Sequence, residues 1–139
     1  MIKPILLDTG VIVALLDKSE RHHEECVKIV SKLKRPLITC EAVIAEACYL
    51  LRKLRGAPES VLLNVENHIF QIPWMLSGNE SRIIELTKKY AKVPMDFADA
   101  CLVSMAEQFE SHEILTLDSD FKVYRSKGKK EFKILIPSV

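Results

Sequence analysis

The sequence is short of several features that would settle its class at once. Its four cysteines, Cys26, Cys40, Cys48 and Cys101, stand singly in apolar runs, with no C-x-x-C pair and no metal-knuckle spacing. That excludes a cysteine-ligated zinc site or a dithiol redox centre, and the thiols read as reduced core groups of a cytoplasmic protein. Charge of one sign is not in excess either, with 20 Lys and Arg against 19 Asp and Glu. A polycationic nucleic-acid coat is excluded, and any such contact must come from a local patch. No apolar run approaches the roughly 20 residues of a membrane span. The first run, from Ile5, already carries Asp8 and breaks at Asp17-Lys18. Neither a signal peptide nor a membrane partner is expected. Repeats, low-complexity tracts and long linkers are missing as well. Residues 1–139 are therefore expected to form one domain, for which 48% hydrophobic residues supply an ample core.

What is present is an alternation of short apolar runs and helical stretches. Ile5-Leu6-Leu7 reads as a buried parallel strand that ends on Asp8 and feeds a helix over Thr9 to Leu16. A second helix is expected from His22 to Leu33, with Cys26, Ile29, Val30 and Leu33 on its core side. Leu37-Ile38-Thr39 follows as a strand, then helices over Glu41–Arg55 and Pro58–Asn67, the first closed by Gly56. Further strands are expected at Ile69–Ile72, Glu113–Leu117 and Phe132–Ile136, and further helices at Asn79–Ala91 and Met95–Phe109. No two-residue hairpin signal occurs. Strands separated by helices argue for an α/β domain, a parallel sheet covered by helices on both faces.

Carboxylates occupy places that apolar packing does not favour. Asp8 directly follows the first strand, where open α/β sheets bind ligands, although a helix N-cap explains it equally well. Glu46 has Ala42, Val43, Tyr49 and Leu50 as its helical neighbours and no basic partner within one turn. An unpaired ionised carboxylate buried there would cost several kcal/mol, so a functional role is expected. Asp96 and Asp99 share one side of their helix, as site residues or as acids drawn to the helix N-terminus. Asp118 and Asp120 follow the fourth strand, as ligands or as turn formers. Carboxylates that converge without Lys or Arg call for a hard divalent cation with oxygen ligands, Mg²⁺ or Mn²⁺. Such an ion can activate water for attack on a phosphodiester with no catalytic histidine. His22 and His23 are accordingly not read as ligands.

Taken in order, four blocks resemble the PIN-domain ribonucleases, and most closely the VapC-like toxins of prokaryotic toxin-antitoxin pairs. They are Leu7-Asp8-Thr9-Gly10, Thr39 to Leu50 with Glu46, Asp96-Phe97-Ala98-Asp99-Ala100, and Thr116-Leu117-Asp118-Ser119-Asp120-Phe121. The resemblance implies a three-layer α/β/α domain with a five-stranded parallel sheet of order 3-2-1-4-5. It implies an acidic quartet of Asp8, Glu46, Asp99 and Asp118 holding one or two Mg²⁺ or Mn²⁺ ions. Asp96 and Asp120 would be auxiliary acids, and the Thr9 and Thr116 hydroxyls would orient ligands or water. The implied reaction is endonucleolytic hydrolysis of single-stranded RNA, leaving a 5′-phosphate and a 3′-hydroxyl. A homodimer and a small antitoxin that blocks the site are implied as partners.

Two basic groups are candidates for gripping RNA phosphates: Arg52, Lys53 and Arg55 after the Glu46 helix, and Lys122, Arg125 and Lys127 in the basic run that ends at Lys133. Tyr49, Phe70, Trp74 and Phe97 read as core or dimer residues. Phosphatases and receiver domains also place an aspartate after a first strand. This chain has Gly10 where the former need a second acid, and no acidic pair ahead of the strand for the latter. A catalytically silent module of the same fold, binding RNA or a protein, is the remaining alternative.

Overall fold

The computed structural model describes residues 2–139. Its elements run β1 (Ile5–Leu7), α1 (Thr9–Leu16), α2 (His23–Lys32), β2 (Leu37–Ile38), α3 (Glu41–Leu50), α4 (Ala57–Glu66), β3 (Phe70–Gln71), α5 (Glu80–Lys89), α6 (Phe97–Phe109) and β4 (Glu113–Leu115). A 3-10 turn at Ser119–Lys122 leads to β5 (Arg125–Ser126), β6 (Lys130–Glu131) and β7 (Lys133–Ile134).

Five strands form one parallel sheet in the order β3-β2-β1-β4-β7, with Leu6 opposite both Ile38 and Ile114. This is the expected arrangement, its outer strand being seventh along the chain rather than fifth. Two crossovers carry the chain outward from β1 through β2 to β3. The next connection returns it to the other side of β1, so the strand order reverses between β1 and β4. Such a reversal opens a crevice at the carboxyl ends of the two strands.

Every residue of β1 is fully buried, as is the Val11–Ile12 and Ala14 side of α1. That explains why these stretches read as continuous apolar runs rather than alternating ones: helices cover both faces of the sheet. The amino ends of the strands are tied separately. Arg35 donates from Nε to the Lys3 carbonyl at 2.9 Å and pairs with Glu113, and the Ser111 hydroxyl donates to the Pro4 carbonyl. No helix among the described residues is long and apolar enough to cross a membrane.

The structure corrects several boundaries. Helix α3 stops at Leu50 instead of Arg55, because residues 51–56 unwind through turns to Gly56, whose φ of +79° suits glycine. Helix α6 begins at Phe97, two residues late, since Asp96 caps it. There is a hairpin the sequence reading did not place: β5 and β6 pair antiparallel across Lys127, Gly128 and Lys129, the first two at positive φ. Its turn lies in a lysine-rich run with no flanking apolar alternation, which hides the signal. Tyr49 and Phe97 are not core residues, being 61% and 47% exposed, whereas Phe70 and Trp74 are buried. All four cysteines are free.

The central strand should dominate stability. Replacing the fully buried Leu6 by Ala is expected to cost about 2–5 kcal/mol in urea unfolding, through lost transfer energy plus the cavity left behind. A cost within 1 kcal/mol would contradict this packing.

Candidate active site

At the reversal point the backbone of Asp8 donates to the Leu115 carbonyl, 2.9 Å, extending the β1–β4 ladder to the site itself. The Asp8 side chain is 7% exposed. One carboxylate oxygen accepts from the Thr9 amide at 2.8 Å, and the other from the Thr116 hydroxyl at 2.6 Å. Asp8 is thus the N-cap of α1, but half of its capacity is directed across the strands. Thr116 Oγ1 also accepts from the Asp118 amide at 3.0 Å, and Asp118 in turn accepts from the Asp120 amide at 2.9 Å, capping the 3-10 turn.

The second buried acid arrives from α6. Asp96 caps that helix by accepting from the Asp99 amide, 2.8 Å, which places Asp99 in the first turn, 6% exposed. Its Oδ2 accepts from the buried Tyr124 hydroxyl at 2.9 Å. Tyr124 is held by edge-to-face contacts with Tyr90 and Phe121, centroids 5.1 and 5.0 Å away, and the Tyr90 hydroxyl accepts from the Arg125 amide. A cleft of about 430 Å³ is lined by Asp8, Thr9, Glu46, Asp96, Asp99 and Asp118, with no basic side chain among its described lining residues.

The electrostatics follow from burial and crowding. Burial pushes Asp8 up from 3.8 to about 6; its two hydrogen bonds oppose this, and Asp118 and Glu46 add repulsion. Burial likewise raises Asp99 to about 7, helped by Asp96, Asp8 and Asp118 and opposed by the Tyr124 hydroxyl. The Tyr124 phenol is pushed up by burial and by the carboxylate it serves. Thr9 Oγ1 is buried and finds no hydrogen-bond partner among the described residues.

Of the eight acids and hydroxyls singled out from the sequence, seven meet here: Asp8, Thr9, Glu46, Asp96, Asp99 and Asp118 line the cleft, and Thr116 braces it from beneath. Asp120 stands at the margin. One argument fails: Glu46 is exposed, because α3 turns Ala45, Glu46, Tyr49 and Leu50 all to its outer side. The helix does have the apolar exposed stripe that the burial argument excluded. Glu46 reaches the cleft from its rim rather than from the core.

None of the six basic residues lines the cleft. Arg125 Nη1 donates to the carbonyls of Lys122, Val123 and Tyr124, so that side chain closes the 3-10 turn. Arg52 lies over the Tyr49 ring, 3.9 Å from its centroid, and Arg55 borders a separate hollow near the end of α1. Two supporting residues escaped sequence reading. Thr39 Oγ1 donates to the Leu7 carbonyl at 2.7 Å, matching from the β2 side what Thr116 does from β4. Its signal was a threonine directly after an apolar strand. Tyr124 gave none, because its role depends on how the hairpin folds back.

A PIN domain family model matches residues 5–127, which takes in every residue lining the cleft. The chain belongs to the PIN domain family. Ribonuclease VapC26 of Mycobacterium tuberculosis (strain ATCC 25618 / H37Rv) is 24% identical over 134 residues, covering 94% of this chain and 99% of that protein. Among solved structures, the fold is similar to that of Mycobacterium tuberculosis VapC20, described as a sarcin-ricin loop cleaving toxin. The TM-score there is 0.79 at 17% identity, over 86% of this chain and 93% of that one. In this PIN domain the acids therefore sit in a fold shared with VapC20.

Two raised carboxyls give a pH signature. As pH rises from about 4 to 7 the unfolded chain ionises at its ordinary value while folded Asp8 and Asp99 keep their protons, so the folded form loses stability across that window. Below it both states are protonated, and above it both are ionised. In EDTA at pH 8, Asp99→Asn should melt at least about 3 °C above wild type. The difference should shrink towards pH 4. Parallel melting curves for the two proteins at all pH values would refute the assignment.

Proposed function

We propose that this chain is a divalent-metal-dependent endoribonuclease of the VapC type, hydrolysing single-stranded RNA to leave a 5′-phosphate and a 3′-hydroxyl. The observation that carries this reading is the meeting of Asp8, Glu46, Asp99 and Asp118, from four separate chain segments, in one cleft without a neutralising cation. Its family and its likeness to a protein named a ribonuclease support the same chemistry.

The donor set fits Mg²⁺ or Mn²⁺. It is all oxygen, burial and neighbouring acids raise two of its members above the usual carboxylate range, and the Thr9 hydroxyl beside them has no hydrogen-bond partner among the described residues. As the side chains stand, no three Asp, Glu, His or Cys among the described residues are gathered tightly enough to ligate an ion. Glu46 and Asp118, the more exposed members, would have to turn inward. When bound, the ion would lower the pKa of a water and offset charge developing on the phosphate. Asp8 and Asp99, fixed by Thr116 and Tyr124, supply the rigid part of the ligand set; Asp96 holds Asp99 through its amide, and Asp120 supports Asp118.

The protein is read as cytoplasmic, working as a homodimer and restrained by a small antitoxin. Tyr49, Leu50, Leu62 and Leu63, all more than half exposed on α3 and α4, support a covering partner beside the cleft. Lys53, Lys122 and Lys127 remain free for phosphates at longer range.

Cleavage of single-stranded RNA should require added Mn²⁺ or Mg²⁺ and stop in EDTA. Asp99→Asn should lower the rate by about a hundredfold or more with an unchanged circular dichroism spectrum. Asp8→Asn sharpens the test: asparagine caps helices as well as aspartate, so stability should hold while activity is lost. Metal-independent cleavage, or full activity in either variant, would leave a silent binding module as the better account.

A further inference from the structure

Beside the acid cleft, and separate from it, lies a smaller cavity of about 140 Å³ between the start of α3, the start of α6 and the segment after β3. Its lining includes Ala42, Trp74, Met75, Phe97 and Cys101, together with the exposed Glu41. The two hollows share both helices. On α6, Phe97 and Cys101 face the cavity while Asp96 and Asp99 face the cleft; on α3, Ala42 precedes Glu46 by one turn, about 5–6 Å.

We propose that this cavity is a base subsite, taking one unpaired pyrimidine of the RNA next to the cut phosphate and preferring cytosine to uracil. This rests on the ribonuclease reading above. Four observations favour a base. The volume is far below the roughly 300 Å³ and more of sites for larger ligands, and suits one flat ring. Phe97 leaves 47% of its surface open, offering a face of the kind on which splayed-out bases stack. Trp74 is 6% exposed, yet its indole N–H finds no hydrogen-bond partner among the described residues, an unusual state for a buried tryptophan. Glu41 is an exposed acceptor among the lining residues. A carboxylate can accept from the N4 amino group of cytosine, whereas uracil presents a carbonyl oxygen at that position and the two acceptors repel.

The chain carries its own probe, since Trp74 is its only tryptophan. Wild-type protein in EDTA, where the metal chemistry is silent, is titrated with penta-cytidylate and with penta-uridylate while tryptophan emission is recorded. Saturable change is expected, with the cytidylate bound about tenfold more tightly. Phe97→Ala should weaken both RNAs about tenfold, and Glu41→Gln should bring the two affinities together. The proposal is overturned by equal affinity for the two RNAs in wild type, by an unchanged Phe97→Ala, or by an emission change that follows protein concentration instead of RNA. The last result, with sedimentation showing self-association, would make this face a contact between copies. The same RNAs are then incubated with Mn²⁺. Cleavage without the emission response removes the subsite alone, whereas RNA that is neither bound nor cut removes the ribonuclease reading beneath it.

Discussion

A buried carboxylate at the end of the central strand is the constraint around which this molecule is built. Asp8 costs free energy to enclose, and the enclosure is tolerated because the Thr116 hydroxyl and the Thr9 amide each donate to it. The same two bonds fix the position of the segment that follows β4 and start helix α1. Thr39 completes the arrangement by binding the Leu7 carbonyl from the other side. The three carboxyl ends of the central strands are therefore pinned to one another by hydroxyls, and the register that buries the core is the register that assembles the cleft.

The second buried acid is supported differently. Asp99 is set by its helix, through the Asp96 cap, and restrained by a phenol belonging to a distant part of the chain. Two carboxylates with independent supports are both raised by burial and by the acids around them. A hard positive ion would relieve that burial and crowding, which the fold imposes by its own geometry. The rim acids are looser: Glu46 is exposed on α3 and Asp118 half-buried on a turn.

Much of this was open to reading from residue order, for identifiable reasons. Strands buried on both faces must be continuous apolar runs, so β1, β2 and β4 stood out, and acids directly after them had few places to go but the sheet's carboxyl edge. Glu46, which does line the cleft, was singled out by an argument that fails. The reasoning assumed that an apolar stripe must be buried, but this helix exposes one, and periodicity cannot say which side of a helix the rest of the protein covers. The β5–β6 hairpin escaped because its strands are two residues each and charged. Thr39 escaped because it read as the end of its strand, and Tyr124 because a hydroxyl bracing a carboxylate leaves no pattern in spacing; only the folded neighbours reveal it.

The Tyr124 bond also has a meaning in time. Its partner Asp99 precedes it by 25 residues, so a growing chain presents every acid of the cleft before it presents the phenol that holds Asp99. Until that last segment folds back against α6, Asp99 stands in the first turn of its helix with one support missing. It follows that the site matures only as the final fifth of the chain docks. A polypeptide emerging beside the abundant RNA of the ribosome completes its acid centre among the last things it builds.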